Sequence, residues 1–256
     1  MGEPPSVAPP GWLTAAIQTY LRVYHRHDIR IDAPVPDTPV LFVCNHGFGG
    51  VIDLNVAAFV AARQAAGVTR PTTAMVHQIA WTLGVGSLVE RFGGAPGSRH
   101  AADEALDAGH NVLVFPGGDV DAGKSWPRRN EITFHGSGFA RLAVEHEVPI
   151  VPVVTAGAGE SLVVLSDGRA TARVLGLPKL LRVKALPLTV SIPWGVNVGV
   201  VGLLPYLPLP TKLVTAVLPA ITAEAGESPE DLATRVRHAM QARMNELTAR
   251  RTPLLG

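Results

Sequence analysis

The chain has 256 residues, 47 % of them hydrophobic and 17 % charged, with a formal net charge of +1 and a mean hydropathy of +0.24. This length holds a sizeable core in one domain, and the near-neutral balance excludes a global field for nucleic acid. The single cysteine, Cys44, excludes an internal disulfide, and inside an apolar run it behaves as a small hydrophobe rather than a nucleophile.

Residues 1–10 carry Pro4, Pro5, Pro9 and Pro10 and are expected to be disordered, leaving 11–256 as a single domain. No basic-then-apolar leader precedes them, so no signal peptide is expected. Trp12–Tyr24 has helical spacing (Trp12, Leu13, Ala16, Ile17, Tyr20, Leu21, Tyr24), which suits packing on a core or contact with a membrane. Ile29–Ile31 reads as a short strand and Val40–Cys44 as a buried one, with prolines between them. Asp53–Ala66 reads as a helix, Thr72–Val76 as a strand, Gln78–Arg91 as a helix and Phe92–Ser98 as a Gly/Pro turn. Arg99–Ala108, Asn111–Phe115, Ser137–His146 and Pro149–Thr155 continue as helix, strand, helix and strand, with a polar, basic loop over Gly123–Thr133. Leu162–Leu165 is a further apolar run, and Thr171–Lys184 has a helical pattern broken by Pro178.

Ala185–Thr211 is uncharged and long enough to span a bilayer, but five prolines break it. A broken backbone cannot satisfy its polar groups in hydrocarbon, so the run is expected at an interface or a pocket wall. Lys212–Ile221 reads as a strand. A last helix starts at Ser228-Pro229-Glu230-Asp231, an N-cap, an N1 proline and two first-turn acids, and runs to about Arg250. Strands alternating with helices indicate an α/β fold, a single domain with a mixed, mostly parallel sheet flanked by helices.

Four elements carry candidate chemistry. In the first, Val40–Cys44 runs into Asn45-His46, three glycines (Gly47, Gly49, Gly50) and Asp53. An imidazole is the usual general base for a hydroxyl, and a carboxylate can fix its tautomer. Asp53 has an equally concrete reading as the cap of the following helix. The second, Phe92-Gly-Gly-Ala-Pro-Gly-Ser-Arg99, delivers one arginine at a helix start, suited to an anion or simply solvated. The third, Val112–Phe115, ends in Pro116-Gly117-Gly118 and then Asp121. The fourth, Val148-Pro-Ile-Val-Pro-Val153, reads as a buried core strand started and interrupted by prolines, and a proline inside a strand implies an edge or an exposed end.

In this order and at these intervals, the four elements resemble the motifs of the glycerolipid acyltransferase superfamily, which includes lysophosphatidate, monoacylglycerol and diacylglycerol acyltransferases. The resemblance covers roughly residues 38–160. It implies transfer of a fatty acyl group from acyl-CoA to a hydroxyl of a lipid acceptor, with no metal and no cofactor. His46 and Asp53 would then be catalytic, as base and orienter. Arg99, Pro116, Gly117, Gly118 and Asp121 would bind substrate. It also implies a peripheral position on the cytoplasmic face of the cell membrane. Two departures stand out. Six residues separate His46 from Asp53 where the family motif has four. The third element is of the Pro-Gly-Gly form, similar to mono- and diacylglycerol acyltransferases, and lacks the arginine of lysophosphatidate-type enzymes. That argues for a neutral or bulkier acceptor unless Arg128 or Arg129 replaces the charge.

Two other classes compete. His46-Gly-Phe-Gly-Gly is similar to the oxyanion loop of serine esterases, but no Gly-x-Ser-x-Gly elbow exists to supply the nucleophile. A non-catalytic lipid-binding, membrane-surface protein would also suit the apolar composition and the displaced Asp53.

Overall fold

Runs of Val, Ile, Leu and Thr bounded by Gly and Pro form the strands, and alanine-rich segments with Ser or Asp caps form the helices between them. The computed structural model describes residues 11–47, 53–78, 81, 84, 86–118, 121, 124–168, 188–198 and 206–256. In chain order these give α1 (Gly11–Tyr24), β1 (Asp28–Ile31), β2 (Leu41–Cys44), α2 (Leu54–Ala65), β3 (Thr72–Val76), α3 (Gly86–Arg91), β4 (Gly94–Pro96), α4 (Arg99–Asp107) and β5 (Asn111–Val114). Then follow α5 (Gly138–Glu145), β6 (Ile150–Ala156), β7 (Val163–Ser166), β8 (Leu188–Ser191), β9 (Gly195–Val198), β10 (Val214–Val217) and α6 (Pro229–Thr248).

Seven strands form one sheet in the order β1-β10-β6-β2-β5-β3-β4. The five from β6 to β4 are mutually parallel, while β10 runs antiparallel to β6 and carries β1 with it. Side chains alternate across β2, so its two faces enter two cores. Leu41 and Val43 pack with Leu106 of α4, Leu142 of α5 and Val236 and Met240 of α6. Phe42 and Cys44 pack with Phe59 and Ala62 of α2. Outside α2 lies α1, anchored through Leu21 against Leu54, Ala61 and Leu213, with Trp12 and Val23 left exposed. Burial pushes the Cys44 thiol well up, as suits an inert core residue. A second, three-stranded antiparallel sheet, β7-β8-β9, stands apart.

Two expectations are corrected here. The Phe92–Ser98 stretch is not only a turn, because Gly94–Pro96 adds a parallel edge strand to β3. The fourth element is the buried core strand the sequence reads, but its inner proline does not put it at an edge or give it an exposed end: β6 is central and all seven of its residues are buried. Pro152 is tolerated there because β10 pairing stops at Val217, and the next contact on that side, Ile150 with Ile221, lies beyond it. Pro152 still accepts from the Leu218 amide at 2.9 Å. The proline-rich run contains the β8–β9 hairpin. The Thr171–Lys184 pattern and residues 1–10 lie outside the described residues. Among the described residues no helix is long and apolar enough to cross a membrane.

Candidate active site

The carboxyl ends of β2, β3, β4 and β5 converge on one cavity of about 1170 Å³. Crevices at the carboxyl ends of parallel strands are the general ligand sites of such sheets, because the loops there can vary while the strands stay fixed. Its walls are mostly apolar, with Val56, Met75, Val89, Phe115, Phe139 and Leu142 among them. Among the described lining residues the polar side chains are His46 and Asp53 at one end, with His77, Ser98, Arg99, His135, Ser137 and Arg141 elsewhere.

His46 is held from four sides. Its backbone N–H donates to Asp121 Oδ2 at 2.6 Å, and its ring tilts against Phe115 with centroids 5.0 Å apart. Just before it, Asn45 exchanges two hydrogen bonds with the Thr155 backbone on β6, at 2.8 and 3.1 Å. Asn55 Nδ2 donates to the Asn45 carbonyl at 2.7 Å, locking the strand end to α2. Gly47 permits this closeness, since a Cβ there would lie 2.5 Å from Asn55 Oδ1.

Asp53 caps α2 with one oxygen and faces His46 with the other. Its Oδ1 accepts from the Asn55 and Val56 amides at 2.9 and 3.1 Å. Its Oδ2 lies 3.4 Å from His46 Nδ1. That atom is buried and has no aligned hydrogen bond, so the contact has ion-pair reach without ideal direction. The six intervening residues therefore do not separate the pair, and capping and facing the imidazole are not exclusive. With Nδ1 turned to Asp53, Nε2 is the nitrogen left for a ligand.

The other sequence-derived residues divide. Pro116 and Gly118 line the cavity; Gly118 sits at φ +48° with open space around its Cα, so the Gly-Gly turn leaves room. Gly117 and Asp121 do not line it; both are buried behind the turn. Asp121 is 1 % exposed and lies behind the turn, accepting from His46 N, Lys124 Nζ (2.7 Å), Thr133 N (3.2 Å) and Thr133 Oγ1 (2.8 Å). Gly117 makes room for it, because a Cβ would sit 2.2 Å from Asp121 Cβ.

Arg99 lines the cavity but is already paired. Its Nε donates to both Asp103 oxygens at 2.7 and 2.9 Å, and its Nη2 donates to Glu145. Those hydrogen bonds, Glu145 first and then Asp103, raise the guanidinium pKa. Arg128 pairs with Glu131 and Arg129 lies over the Trp126 ring, and neither lines the cavity. The sequence reading missed Asn45 and Asn55, which fix the strand end before His46, and Lys124 and Thr133, which hold Asp121 behind it. An asparagine ending an apolar strand and another inside an apolar helix were the available signal.

Residues 22–156 match the family model described as Acyltransferase. The chain is 24 % identical over 222 residues to a chicken protein described as a DGAT1/2-independent enzyme synthesizing storage lipids, covering 86 % of this chain and 60 % of that one. It is 27 % identical over 258 residues to an uncharacterised Mycobacterium tuberculosis protein, covering 94 % and 68 %. The chain thus spans about three-fifths to two-thirds of the length of these relatives. Its fold is similar to that of the 1-acyl-sn-glycerophosphate acyltransferase of Thermotoga maritima, with a TM-score of 0.56 at 17 % identity over 93 % of this chain and 82 % of that one. The matched segment runs from α1 to the end of β6 and includes His46, Asp53, Arg99 and the Pro-Gly-Gly turn, so the chain belongs to the acyltransferase family.

Proposed function

We propose that the chain transfers a fatty acyl group from acyl-CoA to the hydroxyl of a neutral lipid. The observation that carries this reading is the placement of His46, with Asp53 3.4 Å from its Nδ1, at one end of a large apolar cavity. His46 Nε2 takes the proton of the acceptor hydroxyl as its oxygen attacks the thioester carbonyl. The tetrahedral intermediate collapses, the C–S bond breaks, and the proton passes to the departing thiolate. Asp53 holds the tautomer and stabilises the transient imidazolium. General-base help of this kind is worth roughly 10²–10⁴-fold.

The neutral acceptor is supported by two features. Arg99 has its charge balanced by Asp103 and Glu145, which leaves little field for a phosphate. The cavity walls are mostly apolar, as a glyceride or long-chain alcohol requires. The storage-lipid description of the chicken relative points the same way. The test is release of free thiol from acyl-CoA against monoacylglycerol, diacylglycerol, a long-chain alcohol and lysophosphatidate. Turnover with a neutral acceptor that His46→Ala removes supports the reading. Turnover with lysophosphatidate alone overturns the acceptor, and none with any acceptor overturns the enzyme in favour of a lipid-binding protein.

A further inference from the structure

The side chain of Asn45 acts as a surrogate peptide unit. Backbone pairing of β2 with β6 ends at Cys44 and Val153. One residue further on, Asn45 Oδ1 accepts from the Thr155 amide at 2.8 Å and Nδ2 donates to the Thr155 carbonyl at 3.1 Å. The tie between the two strands thus outlasts their backbone ladder. Thr155 is itself anchored: its Oγ1 lies 3.0 Å from Thr215 Oγ1 on β10, which lies 2.9 Å from His27 Nε2 just before β1. A hydrogen-bonded row therefore crosses the sheet from His27 to the residue before His46. It runs over the face whose other side chains include Val151, Val153 and Val217. Valine at the two threonines would fill much the same space with no polar group to bury, so packing alone does not call for the hydroxyls.

Asn55 holds Asn45 from the helix side. It sits in the first turn of α2, 2 % exposed, and its Nδ2 donates to the Asn45 carbonyl at 2.7 Å. Its Oδ1 is buried without a hydrogen-bond partner among the described residues. Alanine would suit the helix better and leave no oxygen unpaired, so the amide is kept at a cost in stability. Such costs gather where function fixes a geometry. Here Asn45 is covalently joined to His46, and the Asn55 amide donates to Asp53 Oδ1 at 2.9 Å. The Asn45–Asn55 bond closes a circuit from His46 through Asn45 and Asn55 to Asp53, and back across the 3.4 Å between Asp53 Oδ2 and His46 Nδ1. That circuit does not pass through residues 47–52.

We infer that Asn45 and Asn55 are positioning residues that set the approach of Asp53 to His46, so that a spacing two residues longer than the family motif still brings the pair together. The kinetic consequence rests on the acyl transfer proposed above. The separation itself is measured without turnover, so either reading can fail alone.

The test is Asn55→Ala in the full chain, read in two ways. Crystal structures of wild type and variant compare the separation of His46 Nδ1 and Asp53 Oδ2, which in the variant should pass beyond ion-pair reach, about 4 Å. Thiol release from acyl-CoA with monoacylglycerol should show kcat about 10–10²-fold lower at unchanged KM, because a misplaced base is felt in the chemical step and not in binding. Asn55 acts through the pair, so Asn55→Ala should cost nothing further in an Asp53→Asn background, whereas a merely structural role would multiply the two losses. An unchanged circular dichroism spectrum verifies the fold. If it changes, Asn55→Ser, which keeps a polar group in the first turn but stops short of the Asn45 carbonyl, carries the same expectations. A separation held at the wild-type value, a wild-type kcat, or losses that multiply with Asp53→Asn would each overturn the inference. A wild type without turnover on any acceptor overturns the acyl transfer alone, and the separation then decides the positioning.

Discussion

Asp53 shares one carboxylate between two tasks: Oδ1 caps α2 through the Asn55 and Val56 amides, and Oδ2 stands 3.4 Å from His46 Nδ1. The two tasks separate by substitution. Asp53→Asn keeps an N-cap acceptor but loses the charge beside the imidazole, so its melting temperature should hold while turnover falls about 10²–10⁴-fold. Asp53→Ala should lose the same activity and a further ~1 kcal/mol of stability. Equal stability of the two variants, or full activity in Asp53→Asn, would contradict the shared role.

Asp121 supports His46 from behind. Asp121→Ala leaves Lys124, whose side chain is 6 % exposed, without its counter-charge and frees the His46 amide. Breaking one partner of a buried pair costs about 3–5 kcal/mol, so unfolding in urea should shift by that order. A change within error would show that the pair does not hold the turn.

Arg99 is predicted to be a latent phosphate site. Removing both partners, in Asp103→Ala/Glu145→Ala, frees the guanidinium at the cavity wall. The kcat/KM ratio of lysophosphatidate over monoacylglycerol should then rise. An unchanged ratio would mean that Arg99 has no part in acceptor choice.

Acid should destabilise the fold through His27. Burial pushes its imidazole down to about 4, and its Nε2 lies 2.9 Å from Thr215 Oγ1. The folded value lies below the unfolded value of about 6.5, so the unfolded chain binds the extra proton between them. The contribution is complete above about pH 6.5 and is lost as pH falls toward 4, about 3 kcal/mol in all. Melting curves across that window should show the slope in wild type and a flatter line in His27→Gln. Parallel lines would contradict the assignment.

The carboxyl end is tied down by Glu160, which is fully buried. It accepts from Arg251 Nε and Nη2 at 2.8 and 2.9 Å, from Thr211 Oγ1 at 3.0 Å and from Leu254 N at 2.7 Å. Burial alone would raise its pKa, but these bonds outweigh it and hold the carboxyl below the usual range. Glu160→Gln strands the Arg251 guanidinium, 3 % exposed, and should cost about 3–5 kcal/mol in chemical denaturation. An unshifted midpoint would show that the tie is not structural.

The strands and helices around the cavity were legible because each has one apolar face and clear caps: Thr72–Val76 and the Ser228-Pro229 start fall where the pattern puts them. Pro152 misled because a proline's tolerance depends on where the neighbouring strand ends, which is a tertiary fact. The β8–β9 hairpin was hidden by its prolines and by an alternation turned inside out. His46 and Asp53 could be named from sequence, but their approach across a longer spacing could not. Asp121 and Gly117 were legible as a motif and not as a support, because burial is not written in the spacing of a turn.

The central claim is that His46 removes a proton from a lipid hydroxyl. The most direct measurement is the rate of thiol release from acyl-CoA with monoacylglycerol, for wild type and for a folded His46→Ala. The account predicts steady turnover in the first and a loss of at least about 10²-fold in the second, with an unchanged melt. Equal rates in the two proteins would contradict it.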